Sequence, residues 1–348
     1  MNYKRLAGAA LALILCLSML MGCAYNPQTV LTVDGRDVSC GVYLFEQLEA
    51  IQLAIETYGD DEVKGAAIYD VEIEGVPARE WINRETVDRC KYVAFINSEF
   101  ERLGLEIDEM SKYYYEYAAS STWSQSGQGY LRNGISYDTF LEMYMNSYKE
   151  SMVVNALYGP GGERALPDAD KQAYFESSFT RFDYLKFPTT DSYGYALSSL
   201  DAVEAVAGKL AAATTDEELK ELYLANYSEI LALTGSSEEV SDETFASAFI
   251  TDSLLNKTST SFSAEFIDAV LATEDDAFHL YVSDTEIVLY RAKPLTDEDT
   301  VDKYDATIVS ALAQEPFKTY SQGVIDGYEV VEDARARKYY SLDKVALA

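Results

Sequence analysis

Arg181-Phe-Asp-Tyr-Leu-Lys-Phe187, closed by Pro188, reads as a β-strand set in a chain that is otherwise helical in spacing. Working forward, Ser199–Leu210 and Asp216–Tyr227 carry helical periodicity and are separated by residues 211–215. An acidic, Ser-rich turn covers 235–242, and helices are expected over 245–254 and 265–271. Two strands, 278–282 and 286–292, then flank Ser283-Asp284. Working backward, a helix spans about 167–177, and Gly159-Pro-Gly-Gly162 marks a boundary before it. Ser136 caps a helix through Phe140, Tyr144, Tyr148 and Met152 to about Tyr158. Residues 120–129 are rich in Ser, Gln and Gly and read as a loose loop. Asp108 caps a helix through Met110, Tyr113, Tyr114 and Tyr117.

Further back, a long helix over 78–103 has an apolar stripe of Trp81, Ile82, Val87, Cys90, Val93, Ala94 and Phe100, and Gly104 is placed to end it. Small hairpins are expected around Glu74-Gly75 and around Asp34-Gly35, with a helix over 41–58 between them. Beyond the sheet region, 301–327 reads as a long helix, followed by a short strand at 328–331 and a helical turn. The fold class expected is α+β: a mainly helical N-terminal domain, completed by the C-terminal helix, with a small antiparallel-sheet domain between. Neither an internal repeat nor a low-complexity tract is evident.

At the N-terminus, Lys4 and Arg5 precede an uncharged apolar run, Leu6–Met21. It is short for a membrane span and suits an export signal. Leu20-Met21-Gly22-Cys23 resembles the lipobox of bacterial lipoproteins. The expectation is a signal peptide over 1–22 and lipidation at Cys23, with 23–29 as a tether. Each buried CH₂ of an acyl chain adds roughly 0.8 kcal/mol of membrane affinity, so two or three chains anchor firmly. The expected location is the extracytoplasmic face of the cell membrane.

Composition narrows the partners. The formal net charge is −32, and loss of Lys4 and Arg5 would make it more negative. Nucleic acid and anionic headgroups are disfavoured. With 28 tyrosines and 14 phenylalanines the chain can bury a large core. About 325 residues after the signal suggest two or three domains. Setting Cys16 and Cys23 aside leaves Cys40 and Cys90, which pair or, on the favoured reading, remain ordinary thiols. His279 is the one histidine, so His/Cys metal sets are excluded by count, as is a Ser-His or Cys-His catalytic arrangement without it. No metal and no cofactor are expected. A Walker-type Gly-rich loop is missing, so nucleotide is not an expected partner.

The order of these elements resembles the PrsA/SurA-type extracytoplasmic foldases. The likeness is carried by the lipobox, the extended Val30–Ser39 segment, Arg102-Leu-Gly-Leu105 with Ile107-Asp-Glu109, Asn133-Gly-Ile-Ser-Tyr137, Leu166–Phe175, Gly327-Tyr-Glu-Val-Val331 and Tyr339-Tyr-Ser-Leu-Asp343. It implies a helical chaperone-like domain at 30–177, a parvulin-like domain at 178–295 with a β-α-α-α-β-β order, and a C-terminal helix and tail at 296–348 packing on the first domain. Parvulins carry one histidine on the first strand, another on the last, and a Gly-Gly turn. Matching that pattern puts Asp183 at the first histidine position and Val288 or a neighbour at the second, with no Gly-Gly between. His279 cannot restore the pair alone. A carboxylate is a poor neighbour for a twisting prolyl amide, so the isomerase is expected to be silent or very weak.

The function expected is a membrane-anchored, nucleotide-independent chaperone that binds unfolded or nascent secreted polypeptides. Tyr113, Tyr117, Tyr144 and Tyr148 are candidate liners of its groove, since tyrosine offers an apolar body and a polar tip. The alternatives are an active peptidyl-prolyl isomerase with a rearranged site and, third, a solute-binding lipoprotein, which would show two α/β lobes.

Overall fold

The computed structural model describes residues 27–59, 63 and 65–347; the expected signal segment 1–22 and Cys23 lie outside the described residues. The described chain divides into two compact units. One runs to Leu157 and resumes at Glu315; the other is Tyr158–Gln314.

The first unit opens with a hairpin, β1 (Thr29–Val33) and β2 (Arg36–Ser39). Its two-residue turn needs positive φ at both positions, and Asp34 (46°) and Gly35 (80°) supply it. The Ser39 hydroxyl accepts from the Val42 amide and starts α1 (Cys40–Tyr58). After a short hairpin, β3 (Glu72–Ile73) and β4 (Val76–Pro77), α2 (Ala78–Arg102) buries Trp81, Ile82, Cys90 and Phe95. Asp108 caps α3 (Glu109–Arg132) by accepting from the amides of Met110 and Ser111 at 3.0 and 2.9 Å. Helix α4 (Tyr137–Tyr158) follows, its first turn held by the Ser136 hydroxyl.

The loop expected over 120–129 does not exist: α3 runs straight through it. Trp123 lies flat against buried Gly127, where a Cβ would sit 2.7 Å from the indole. The same indole stacks on Tyr130 and leans on Phe140 of α4, with centroids 6.0 and 5.3 Å apart. Aromatic packing outweighs the weak helix propensity of Ser, Gln and Gly.

The second unit contains α5 (Asp168–Ser178), β5 (Phe179–Phe187), α6 (Leu200–Leu210), α7 (Asp216–Thr234), α8 (Asp242–Ala248), β6 (Phe249–Asn256), α9 (Ala264–Leu271), β7 (His279–Val282) and β8 (Ile287–Lys293). Its strands form one antiparallel sheet in the order β6-β5-β8-β7. Alternation along the strands splits the core into two faces. Leu185, Phe187, Ile287 and Leu289 pack with α6, α7 and α8; Phe182, Val288, Tyr290 and Ala292 pack with α9. The helix expected over 245–254 is instead α8 followed by β6. Phe245 and Phe249 enter the same core, ring centroids 5.4 Å apart, and Phe249 then pairs with Leu185 of β5. The available sheet edge converts the rest of the segment to strand. The unit also extends beyond 178–295, because Phe175 of α5, Phe179 and Ile308 share one apolar cluster and Lys171 donates to Asp305 at 2.8 Å.

Helix α10 (Asp305–Ile325), β9 (Val330–Glu332) and α11 (Ala334–Tyr339) close the chain. Strand β9 pairs antiparallel with β1, Val330 opposite Val33 and Glu332 opposite Leu31, giving the order β2-β1-β9. Phe317 of α10 meets Phe95 at 5.8 Å, and Ala336 of α11 is buried with Val30, Val33 and Cys90. The end of the chain thus completes the helical unit begun at its start, and the α+β class holds. Among the described residues no helix is long and apolar enough to cross a membrane.

Candidate functional site

Helix α3 presents two unlike aromatic faces. Tyr115 points inward: it stacks on Tyr148 of α4 with centroids 4.1 Å apart and meets Tyr144 edge-on at 6.1 Å. Burial raises the Tyr115 hydroxyl's pKa. Outward lie Met110, Tyr113, Tyr114 and Tyr117, exposed by 64, 62, 61 and 69%. Their spacing of i, i+3, i+4 and i+7 places them on one stripe over the first two turns of the helix. Tyr113 and Tyr114 touch edge-on at 5.9 Å.

Of the four tyrosines expected to line one groove, the structure therefore separates two pairs. Tyr113 and Tyr117 belong to the exposed stripe, and Tyr144 and Tyr148 to the α3–α4 seam. The run Tyr113-Tyr-Tyr-Glu-Tyr117 holds enough helical phase to sort them: Tyr115 lies about 200° around the helix from Tyr113.

In the sheet unit, Asp183 is fully buried. It sits directly opposite Arg291 in the β5–β8 register. Its carboxylate accepts from Arg291 Nε and Nη2 at 3.1 and 2.5 Å and from the Asp252 amide at 2.8 Å, and pairs with Lys293 at 2.8 Å. Arg291 also pairs with Asp216 at the start of α7, and Lys293 with Asp252, both at 2.8 Å. Asp252 adopts φ 53°, where β6 bulges away from β5 and turns its amide onto Asp183. Burial pushes the Asp183 carboxyl up, but the hydrogen bonds from Lys293 and Arg291 outweigh it and hold the group below the usual carboxylate range.

Val288 is equally buried but on the other face of the sheet, with Phe182 and Phe266. The two positions matched to the parvulin histidines therefore do not face each other. His279 is on β7, bonded to Asp275 at 2.6 Å and stacked on Tyr290. Sequence reading missed Arg291 and Lys293 as partners of Asp183. The signal was present, because alternate cations two residues apart on the last strand suit a carboxylate at matching parity on the first.

Cys40 and Cys90 are free thiols, and burial drives the Cys90 thiol well up, which makes it unreactive. Among the described residues no group of His, Cys, Asp and Glu is disposed to hold a metal.

The chain is similar to solved foldases. Foldase protein PrsA from Streptococcus pneumoniae aligns over 78% of this chain and 98% of its own at 15% identity, with a TM-score of 0.42. Foldase protein PrsA from Lactococcus lactis aligns over 91% and 99% at 13% identity and a TM-score of 0.37. PrsA from Bacillus subtilis aligns over 76% and 84% at 8% identity and a TM-score of 0.29. No family model matches the chain, and no curated protein does.

Proposed function

We propose that the chain is a lipid-anchored, extracytoplasmic chaperone that binds unfolded segments of secreted polypeptides without nucleotide. The observation that carries this reading is the stripe Met110, Tyr113, Tyr114 and Tyr117, four large side chains left in water on one helix whose other face packs on α4 through Tyr115. Such a stripe offers apolar area to many sequences, and the phenolic tips tolerate water between contacts. In this reading Cys23 carries the acyl chains that hold the protein at the membrane. The sheet unit contributes no prolyl-isomerase chemistry, because the Asp183 carboxylate is saturated by cations and the matching position holds Val288.

Light scattering from a chemically unfolded, aggregating protein tests the reading. The wild-type chain is expected to suppress aggregation near stoichiometry, and replacing all four stripe residues by Ser is expected to abolish most of that effect. Equal protection by the two proteins, both folded by circular dichroism, overturns it.

A further inference from the structure

At the far end of α3 the chain holds part of itself as an extended peptide. Asn133, just past the helix, donates from Nδ2 to the Ala346 carbonyl at 3.2 Å and accepts from the Ala346 amide at 2.7 Å. A side-chain amide paired both ways with one residue's main chain reads backbone, not side chain, as a neighbouring strand would. Asn133 is fixed for this task, since Nδ2 also donates to the Gly129 carbonyl at 3.0 Å. Around Ala346 the chain alternates: Val345 and Leu347 turn partly inward onto the cluster built from Ile51, Ala54 and Ile82, while Ala346 faces water.

The site is larger than its occupant. Cavities of about 470 and 570 Å³ flank the segment, the first bordered by Leu44 and Tyr340, the second by Leu48, Ile55 and Tyr130. Nearby Gln47 is fully buried, donates to the Tyr340 carbonyl at 3.3 Å, and leaves its Oε1 without a hydrogen-bond partner among the described residues.

We propose that Val345–Leu347 is an intramolecular occupant of a groove that takes extended, small-apolar client segments by their main chain, so that the tail and clients compete. The inference rests on the chaperone reading above and names where a client's backbone is held. Tethered at Leu342, which is buried, the tail acts at an effective concentration in the millimolar range for so short a link. A client must displace it.

The test uses a fluorescent peptide, Ser341–Leu347, and fluorescence polarisation. The full chain is expected to bind it weakly. A chain stopped after Lys344 keeps the Leu342 anchor and is expected to bind roughly tenfold tighter. Ala346→Pro in the full chain removes the amide that Asn133 accepts and is expected to give a similar gain without any deletion. Adding Asn133→Ala to the stopped chain is expected to erase the gain. Equal affinity of full and stopped chains, or a gain insensitive to Asn133, overturns the proposal. If these fail while the stripe variant still loses aggregation suppression, the groove falls and the chaperone reading stands. If the wild type never suppresses aggregation, the chaperone reading falls.

Discussion

Asp183 and Arg291 face each other across adjacent antiparallel strands and make a two-point ion pair inside the sheet unit. A carboxylate with no exposed surface is tolerated only because two cations and an amide satisfy it. Removing it leaves Arg291 with Asp216 alone and Lys293 with Asp252 alone. Asp183→Ala is expected to destabilise the unit by about 3 kcal/mol, read as a lowered denaturant midpoint. Asp183→His, which restores the matched residue alone, is expected to destabilise as well and to leave the isomerisation of a proline peptide at its uncatalysed rate. A parvulin-like acceleration by either the wild type or that variant contradicts the assignment.

Acid should separate the two units. Asp183, Glu286 and Asp299 all titrate below their ordinary range: burial opposes this in the first two, and the hydrogen bond from Arg181 dominates in Asp299. Depressed carboxylates stabilise the folded state above the unfolded pKa and lose that contribution as pH falls through the folded one. The sheet unit should therefore weaken below about pH 4. Glu46 in the helical unit behaves oppositely: burial raises it despite Arg89, so its contribution is present at low pH and lost on raising it. Trp81 and Trp123 both belong to the helical unit. Tryptophan emission should persist while far-ultraviolet circular dichroism falls; coincident transitions would refute the separation.

Truncations on α3 should sort by face. Tyr113→Ala or Tyr117→Ala is expected to change stability by less than about 0.5 kcal/mol while reducing client protection. Tyr115→Ala removes the ring stacked on Tyr148 and is expected to cost about 2–3 kcal/mol, with client protection altered only as far as folding is. Thermal denaturation alongside the aggregation assay distinguishes them.

Helices α1 and α4 approach closely at Gly41, where an added Cβ would fall 2.3 Å from the Thr139 hydroxyl. Gly41→Ala is expected to cost roughly 1–3 kcal/mol by overpacking. Adding Thr139→Gly, which clears the offending atoms, should recover much of that loss in a double-mutant cycle. Strict additivity of the two changes would disprove the contact.

Much of the local structure was legible because it depends on neighbours in sequence. Asp34-Gly35 and Glu74-Gly75 are turns in which both residues adopt positive φ, and Asp108 and Ser136 cap helices through their own side chains. What escaped depends on partners far along the chain. Residues 120–129 are helical because Trp123 finds Gly127 and Phe140. Residues 249–254 are extended because β5 offers an edge. Asp183 is buried because Arg291 and Lys293 reach it from 108 and 110 positions away. The candidate site divides in the same way: the exposed stripe follows from helical phase within one segment, whereas the seating of Val345–Leu347 on Asn133 joins positions 213 residues apart at its clamp.

The pairing of β1 with β9 sets an order of events during synthesis. Residues 29–33 leave the ribosome early, yet the strand that covers their edge arrives some three hundred residues later. Meanwhile Tyr158–Gln314, contiguous in sequence, has all its own strands and can fold first. A growing chain would thus carry a finished middle between two waiting ends, and any stall before residue 330 would leave the Thr29–Val33 edge open to pairing with a stranger.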